Sequence, residues 1–238
     1  MSAQEKLIVA LDFPDLDLAK KLIEELSDEV IFYKIGLELL MSGDYFELVK
    51  FLKARGKKIF ADLKFHDISE TVARAVANIA QYEVDLLTIH AGSRDIMRRA
   101  AESKGKVRVI AIAALTNLDQ KDLIEMGCDP KISLEELVIK RTAIALESGL
   151  DGVVSSALEA KTLRQNFGKD FLIVTPGIRL TTLAGDDQKR VTDVKTALTN
   201  GSSYLVVGRP ITRDANPRAA AQKFNQLIHE ALPISFAS

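Results

Sequence analysis

The sequence predicts an α/β protein of the (β/α)8 barrel class, formed by a single domain over residues 1–238. Short apolar runs recur along the chain and alternate with amphipathic segments of helical length. These runs are apolar almost throughout, as is typical of parallel strands that are buried on both faces of a sheet. A chain of 238 residues also has the usual length of one such barrel.

Eight strands are predicted, rich in β-branched and other apolar residues, at 7–11, 30–35, 58–63, 86–90, 107–114, 152–155, 172–175 and 204–207. Helices are predicted between them where apolar residues return at helical spacing, at 16–26, 45–54, 68–82, 134–148, 158–166, 191–200 and 216–231. A doubly wound open sheet is the alternative architecture. It is disfavoured because no G-x-G-x-x-G turn follows the first strand.

Composition narrows the class of protein. The chain has 32 Lys and Arg against 33 Asp and Glu, so it carries neither a basic field for nucleic acid nor an acidic tail. The single Cys128 excludes an internal disulfide and suits a reducing compartment. The first apolar run is too short for a signal-peptide core, and no run reaches the length of a membrane span. We expect a cytoplasmic protein with neither nucleic acid nor membrane as a partner.

The segment Asp62-Leu63-Lys64-Phe65-His66-Asp67 lies where the third predicted strand ends. Side chains alternate faces along a strand, so Asp62 and Lys64 are expected side by side, with His66 or Asp67 just beyond the strand end. Unpaired charges inside a fold cost several kcal/mol each. A lone Asp-x-Lys pair is also compatible with a solvated turn that holds one salt bridge. The residues at the other strand ends therefore decide whether this segment is a turn or part of a functional site.

Active sites of (β/α)8 barrels are built at the carboxyl ends of the strands. Nearly every predicted strand of this chain delivers a polar or charged group there. In chain order these groups are Asp12, Lys34, Asp62 with Lys64 and Asp67, His90, Thr116 with Asn117, Ser155 with Ser156, Arg179 and Arg209.

Some of these residues also have simpler interpretations. Asp12 is compatible with a turn, and Lys34 with a side chain that extends to water. His90 is compatible with an interior histidine whose hydrogen bonds are satisfied. Ser155 and Ser156 are compatible with serines that only hydrogen-bond to backbone groups at a strand end. A cluster of alternating charge at one mouth, however, can keep lysines protonated and aspartates ionised without a metal, and it would be formed by Asp12, Lys34, Asp62, Lys64 and Asp67.

The last two strands predict a phosphate site. Barrels of this class often bind phosphate at the loops after strands 7 and 8. Gly208 permits close approach to the backbone, and Arg209 offers a forked pair of donors. The loop at 177–190 is long and polar, which is typical of a lid or binding loop, although an idle surface loop is the alternative. We therefore expect a phosphorylated small molecule whose reacting end reaches the charged cluster.

The chain resembles the orotidine 5'-phosphate decarboxylase family along its whole length. The strand 3 motif combined with a Pro-Gly-Ile-Arg loop and a following Asp-Asp-Gln is highly specific. The matching segments are Ala10-Leu11-Asp12, Tyr33-Lys34-Ile35-Gly36, Asp62-Leu63-Lys64-Phe65-His66-Asp67-Ile68, His90-Ala91, Leu115-Thr116, Thr175-Pro176-Gly177-Ile178-Arg179, Asp186-Asp187-Gln188-Lys189-Arg190 and Val207-Gly208-Arg209-Pro210.

This resemblance implies a homodimer with two shared active sites. Lys34, Asp62 and Lys64 would come from one subunit, and the other subunit would supply Asp67, Ile68 and Thr71. The implied substrate contacts are Asp12 and Lys34 on the ribose, Thr116 and the backbone near Pro176 around the pyrimidine, Gln188 closing over the ligand, Gly208 and Arg209 on the phosphate, and Arg179 among the binding residues. Asn117 departs from the small hydroxyl residue common at its position.

The implied reaction is decarboxylation of orotidine 5'-phosphate to UMP and CO2, the last step of UMP synthesis. Lys64 would deliver a proton to the pyrimidine, and neither a cofactor nor a metal is expected. The alternative is a Mg2+-dependent sugar-phosphate decarboxylase or synthase of the same barrel superfamily. Those enzymes carry an acid at the end of strand 2, where this chain has Lys34. A non-catalytic phosphate sensor and a structural scaffold are weaker alternatives, because neither needs Lys64 between two acids.

Overall fold

The computed structural model describes residues 2–180 and 191–232. Eight parallel strands form a closed barrel in which each strand pairs with its neighbours in the chain, and the last strand pairs with the first. The strands are β1 (Leu7–Ala10), β2 (Phe32–Gly36), β3 (Lys58–Phe65), β4 (Leu86–His90), β5 (Arg108–Ile112), β6 (Gly152–Val154), β7 (Leu172–Thr175) and β8 (Tyr204–Val207). The predicted (β/α)8 barrel is confirmed, and closure excludes the open doubly wound sheet.

Helices connect the strands and surround the barrel. They are α1 (Ala3–Lys6), α2 (Leu16–Leu26), α3 (Leu37–Met41), α4 (Tyr45–Ala54), α5 (Ser69–Ala80), α6 (Arg94–Ser103), α7 (Gln120–Glu125), α8 (Leu134–Glu147), α9 (Ala157–Phe167), α10 (Val194–Thr199), α11 (Arg209–Thr212) and α12 (Pro217–Ala231). Among the described residues, no helix combines the length and the apolar character needed to cross a membrane.

The observed elements differ from the predicted ones in a few places. β3 continues to Phe65, so Lys64 lies on the strand and not beyond it. The pattern predicts no helix after the fourth strand, yet α6 lies there. This helix is strongly amphipathic but mostly polar, and its only fully buried residues are Met97 and Ala100, so few apolar residues mark it in the sequence. Two short strands outside the barrel, Ile178–Arg179 and Thr192–Asp193, form a parallel pair that the pattern also does not predict.

The core has two layers. The outer layer lies between the strands and the helices, and the inner layer fills the barrel with side chains such as Ile8, Phe32 and Phe60. At the amino-terminal end of the strands, Arg108 donates a 2.7 Å hydrogen bond to the Tyr204 hydroxyl, and the Tyr204 ring meets Phe32 edge to face. The interior is therefore filled from below, and the open mouth lies at the carboxyl ends of the strands.

Replacement of Gly152 should test how tightly the barrel is packed. A Cβ at this position in β6 would lie 2.1 Å from the backbone oxygen of Leu172 in β7, and a backbone atom cannot move aside cheaply. We expect Gly152→Ala to lower the free energy of unfolding by about 3 kcal/mol, measured by urea denaturation.

Gly105→Ala is the matched control, because a Cβ added there would meet no atom within 4 Å while the backbone has φ +55°. Only the left-handed backbone is penalised at this position, at about 1 kcal/mol. Equal losses in the two variants would show that β6 and β7 tolerate the extra carbon.

Candidate active site

A cavity of about 660 Å3 opens at the carboxyl ends of the barrel strands. Its volume lies within the range of small-molecule sites. The uppermost inward side chains of the barrel form its apolar floor, namely Ala10, Phe60, Ile112, Val154, Val174 and Val206. Polar residues near the carboxyl ends of the barrel strands or in the segments after them form its walls, including Asp12, Lys34, Asp62, Lys64, Thr116, Asn117, Arg179 and Arg209.

A chain of alternating charges crosses one side of this cavity. The Lys34 ammonium, in β2, lies 2.8 Å from Asp12 Oδ1 and 3.4 Å from Asp62 Oδ2. The Lys64 ammonium lies 2.7 Å from the same Asp62 oxygen. The sequence predicts a cluster of five residues, namely Asp12, Lys34, Asp62, Lys64 and Asp67. The structure joins the first four through ion pairs, and Asp67 is not among them.

Burial makes this arrangement depend on its own pairing. Burial alone would raise the pKa of the Asp62 carboxyl, but the Lys34 and Lys64 ammonium groups and two side-chain hydrogen bonds hold it below its ordinary value. Burial likewise opposes the charge of Lys34, yet Asp62 and Asp12 raise the pKa of its ammonium above the ordinary value. Asp62 and Lys34, the two central residues of this row of charges, therefore both stay ionised at neutral pH.

The backbone at the end of β3 is irregular. Lys64 has φ +51°, in the left-handed region that non-glycine residues rarely adopt. The pairing of β3 with β4 shifts between Ala61 and Phe65. Fully buried Thr88 lies opposite this irregularity, where its hydroxyl oxygen accepts the Lys64 backbone N–H and donates to Asp62 Oδ1, both at 2.9 Å.

Two histidines lie beside this cluster. The His90 ring, at the end of β4, meets the His66 ring edge to face with centroids 5.3 Å apart. Burial, with further contributions from His66, Lys64 and Arg141, lowers the pKa of the His90 imidazole. His90 is therefore neutral at physiological pH and does not extend the chain of charges.

The ends of β5 and β6 differ in what they offer to the cavity. Thr116 and Asn117 line it, as the sequence predicts. Ser155 and Ser156 are buried instead, and both hydroxyl groups donate to Glu159 in the first turn of α9. Ser156 also caps this helix, so the two serines serve local structure.

The part of the cavity wall that follows β7 and β8 contains the predicted phosphate-binding residues. Gly208 and Arg209 line it where β8 meets α11, together with Pro176, Gly177 and Arg179 after β7. Arg179 is almost fully buried, and its guanidinium donates to the Ile178 carbonyl. The predicted contact by Gln188 lies outside the described residues.

Three predicted site residues do not reach this cavity. Asp67 and Ile68 lie on the segment that joins β3 to α5, Thr71 lies in the first turn of α5, and none of the three lines the cavity. Asp67 Oδ1 accepts the backbone N–H of Ile68 at 2.7 Å, so its carboxylate is engaged locally and not at the Lys64 ammonium. Ile68 is 71% exposed, which is unusual for an isoleucine.

Three further residues of the site are not predicted from the sequence. Glu38 of α3 and Arg213 after α11 line the cavity, and Thr88 contacts two of its charged residues. Thr88 had a usable signal, because it is a polar residue within an otherwise apolar strand and has the same parity as His90. Glu38 and Arg213 lie on helical connections, where strand parity gives no guidance.

The charges of the cavity also bear on metal binding. Within residues 2–180 and 191–232, no group of three or more His, Cys, Asp or Glu side chains is arranged to hold a metal ion. Between Asp12 and Asp62, the place where a cation would bind is taken by the Lys34 ammonium.

Comparison with known proteins gives a consistent result over nearly the whole chain. An orotidine 5'-phosphate decarboxylase from Methylococcus capsulatus is 49% identical over 229 residues, which is 95% of this chain and 93% of the relative. One from Nitrobacter winogradskyi is 45% identical, over 97% of this chain and 95% of the relative.

Solved structures agree with this relationship. The crystal structure of orotidine 5'-phosphate decarboxylase from Lactobacillus acidophilus superposes with a TM-score of 0.82 at 34% identity, covering 93% of this chain and 98% of that one. Residues 5–224 match the signature of one sequence family. The chain belongs to the orotidine 5'-phosphate decarboxylase / HUMPS family.

Proposed function

We propose that this protein is an enzyme that decarboxylates orotidine 5'-phosphate to UMP and CO2, in pyrimidine biosynthesis. The observation that carries the proposal is the chain Asp12–Lys34–Asp62–Lys64, which crosses a cavity of suitable size. Curated relatives with this activity in their names, at 42–49% identity, support the same substrate.

The two walls of the cavity suit the two ends of this substrate. Its phosphate would lie at Gly208 and Arg209, where a backbone N–H and a forked guanidinium favour a dianion. Its pyrimidine would lie toward Lys64. The remaining contacts would be Asp12 and Lys34 on the ribose, Thr116 and the backbone near Pro176 around the base, with Arg179 and Gln188 among the binding residues.

The reaction needs a group that stabilises negative charge at C6 of the pyrimidine. The bond between C6 and the carboxylate breaks, CO2 leaves, and the electron pair remains on C6. The Lys64 ammonium would stabilise this pair and then transfer a proton to C6, which gives UMP and a neutral amine that solvent reprotonates. Asp62 and Lys34 would hold the ammonium in place.

Asp62 would also face the carboxylate that leaves. Two like charges about 4 Å apart repel by roughly 4 kcal/mol at an effective dielectric constant near 20. This repulsion disappears when neutral CO2 forms, so it contributes to lowering the barrier. Binding energy from the distant phosphate would hold the substrate against the repulsion.

The reaction would proceed without a metal or cofactor. The alternative chemistry in this superfamily, on sugar phosphates, uses Mg2+ and an acid at the end of strand 2. Lys34 stands there instead, with its ammonium 2.8 Å from the Asp12 carboxylate and 3.4 Å from the Asp62 carboxylate. A divalent cation would have to displace this ammonium against charge repulsion.

The active enzyme would be a cytoplasmic homodimer with two shared sites. Asp67, Ile68 and Thr71 are exposed near the mouth of the barrel, and the exposed apolar side chains of Leu37 and Met41 follow β2 at the same end. Exposed apolar residues grouped around a site are typical of an interface. A two-fold axis there would bring Asp67 of each subunit to Lys64 of the other.

The proposed reaction can be tested directly. Purified protein is incubated with orotidine 5'-phosphate in EDTA, and conversion to UMP is followed by absorbance. Turnover under chelation is the expected result. An inactive protein that acts on a sugar phosphate once Mg2+ is added would instead assign the chain to the alternative chemistry.

Removal of the proton donor should abolish turnover without unfolding the protein. We expect Lys64→Ala to lower kcat below detection, because the mechanism then lacks the ammonium that reaches C6, while gel filtration still shows the assembled protein. Lys104→Ala is the matched control, since it removes a lysine paired at 2.7 Å with Asp151, away from the cavity. Wild-type turnover by Lys64→Ala would contradict the mechanism.

Shared sites can be tested by mixing two inactive variants. We expect Lys64→Ala and Asp67→Ala each to be inactive as homodimers. In a mixed dimer one site carries both substitutions and the other carries neither. Random pairing makes about half of the dimers mixed, with one of their two sites intact, so about a quarter of wild-type kcat should return.

Subunit exchange is verified independently by differently tagged chains that co-purify. Mixed dimers that form without any recovery of activity would show that Asp67 acts within its own subunit.

A further inference from the structure

Thr88 occupies an unusual place in the sheet. The pairing of β3 with β4 runs from Ala61 opposite Leu87 directly to Phe65 opposite Ile89. Three residues of β3, from Asp62 to Lys64, therefore lie opposite Thr88 alone. Such a bulge interrupts the regular ladder and redirects side chains, and bulges are frequent next to active sites.

The Thr88 side chain makes hydrogen bonds to the bulge where the regular ladder between the strands is interrupted. Its hydroxyl oxygen accepts the Lys64 backbone N–H at 2.9 Å, and its proton is donated to Asp62 Oδ1, also at 2.9 Å. Asp62 Oδ2 in turn accepts the Lys64 ammonium at 2.7 Å. The backbone and the side-chain end of Lys64 are thus joined in one closed ring of hydrogen bonds that passes through Thr88 and Asp62.

We propose that Thr88 is a positioning residue for decarboxylation: its hydroxyl holds Lys64 in the left-handed conformation that aims the ammonium at the reacting carbon, and fixes the Asp62 carboxylate beside it. This role rests on the proposed function. Thr88 does not line the cavity and acts only through its two neighbours.

The ring explains how the unusual backbone at Lys64 persists. A non-glycine residue at φ +51° is strained and needs its surroundings to hold it. Thr88 is fully buried in β4, so its rotamer is fixed by packing. A hydroxyl has one proton and free lone pairs, so it can accept from one group and donate to the other at once.

The hydroxyl can be removed with little change of volume. Thr88→Val keeps the branched shape but can neither accept the Lys64 N–H nor donate to Asp62, whereas Thr88→Ser keeps both bonds and loses a methyl group. Thr142→Val is the matched control, because Thr142 is a fully buried threonine of α8 whose hydroxyl has no partner in the described part of the chain.

The readouts separate positioning from packing. A misplacement of about 1 Å at a reacting group costs on the order of 100-fold in rate. We expect Thr88→Val to lower kcat by about that factor, while KM and the Kd for UMP change by less than about threefold, since the phosphate contacts are distant. Thr88→Ser should retain kcat within about fivefold, and Thr142→Val should match wild type.

The opposite results are equally clear. Wild-type kcat in Thr88→Val, or equal losses in the Val and Ser variants, would overturn the positioning role. If Thr88→Val does not fold, Thr88→Cys replaces it, because a thiol of similar size is a weak donor and acceptor. A wild-type protein that does not turn over orotidine 5'-phosphate would overturn the proposed function instead.

Discussion

The carboxylate of Asp62 is the interaction on which the rest of the site depends. It is largely buried, so it can remain ionised only because two ammonium groups and one hydroxyl surround it. The same contacts determine where Lys34 and Lys64 point. Removal of this one negative charge would leave two lysines close together in a cavity with an apolar floor, and each would then disfavour the charge of the other.

This cluster is placed by the barrel and not by local sequence alone. Its members come from the ends of β1, β2, β3 and β4, which parallel pairing brings to one edge. The inner core below is apolar and tightly filled, and at its lower end the pair of Arg108 and Tyr204 completes the filling. Charge at the mouth is therefore supported by a rigid floor, which suits a site whose geometry must not relax.

Much of this could be predicted from the sequence, because buried parallel strands leave long apolar runs and their polar ends stand out. The helix α6 is missed because it buries only two residues, Met97 and Ala100, so a search for recurring apolar residues finds little there even though the helix is amphipathic. Ser155 and Ser156 follow the same strand-end pattern as Thr116, but Glu159 draws their hydroxyls away from the cavity. Spacing does not reveal such tertiary competition. The two-residue alternation of strand side chains correctly predicts that Lys64 lies beside Asp62. That rule assumes a regular strand backbone, however, and the backbone at Lys64 is left-handed.

The bulge at the end of β3 also defines what can be transferred between proteins. On a regular strand, residues two positions apart project about 6.6 Å from each other along one face. Here the strand bulges at its left-handed residue, and the ammonium of Lys64 pairs with the carboxylate of Asp62. A designer who grafts the six-residue motif alone onto another barrel would obtain the correct sequence without the bulged backbone. The unit that has to be transferred is the pair of adjacent strands β3 and β4, because β3 carries the charged side chains and β4 carries the Thr88 hydroxyl that bonds to the bulge.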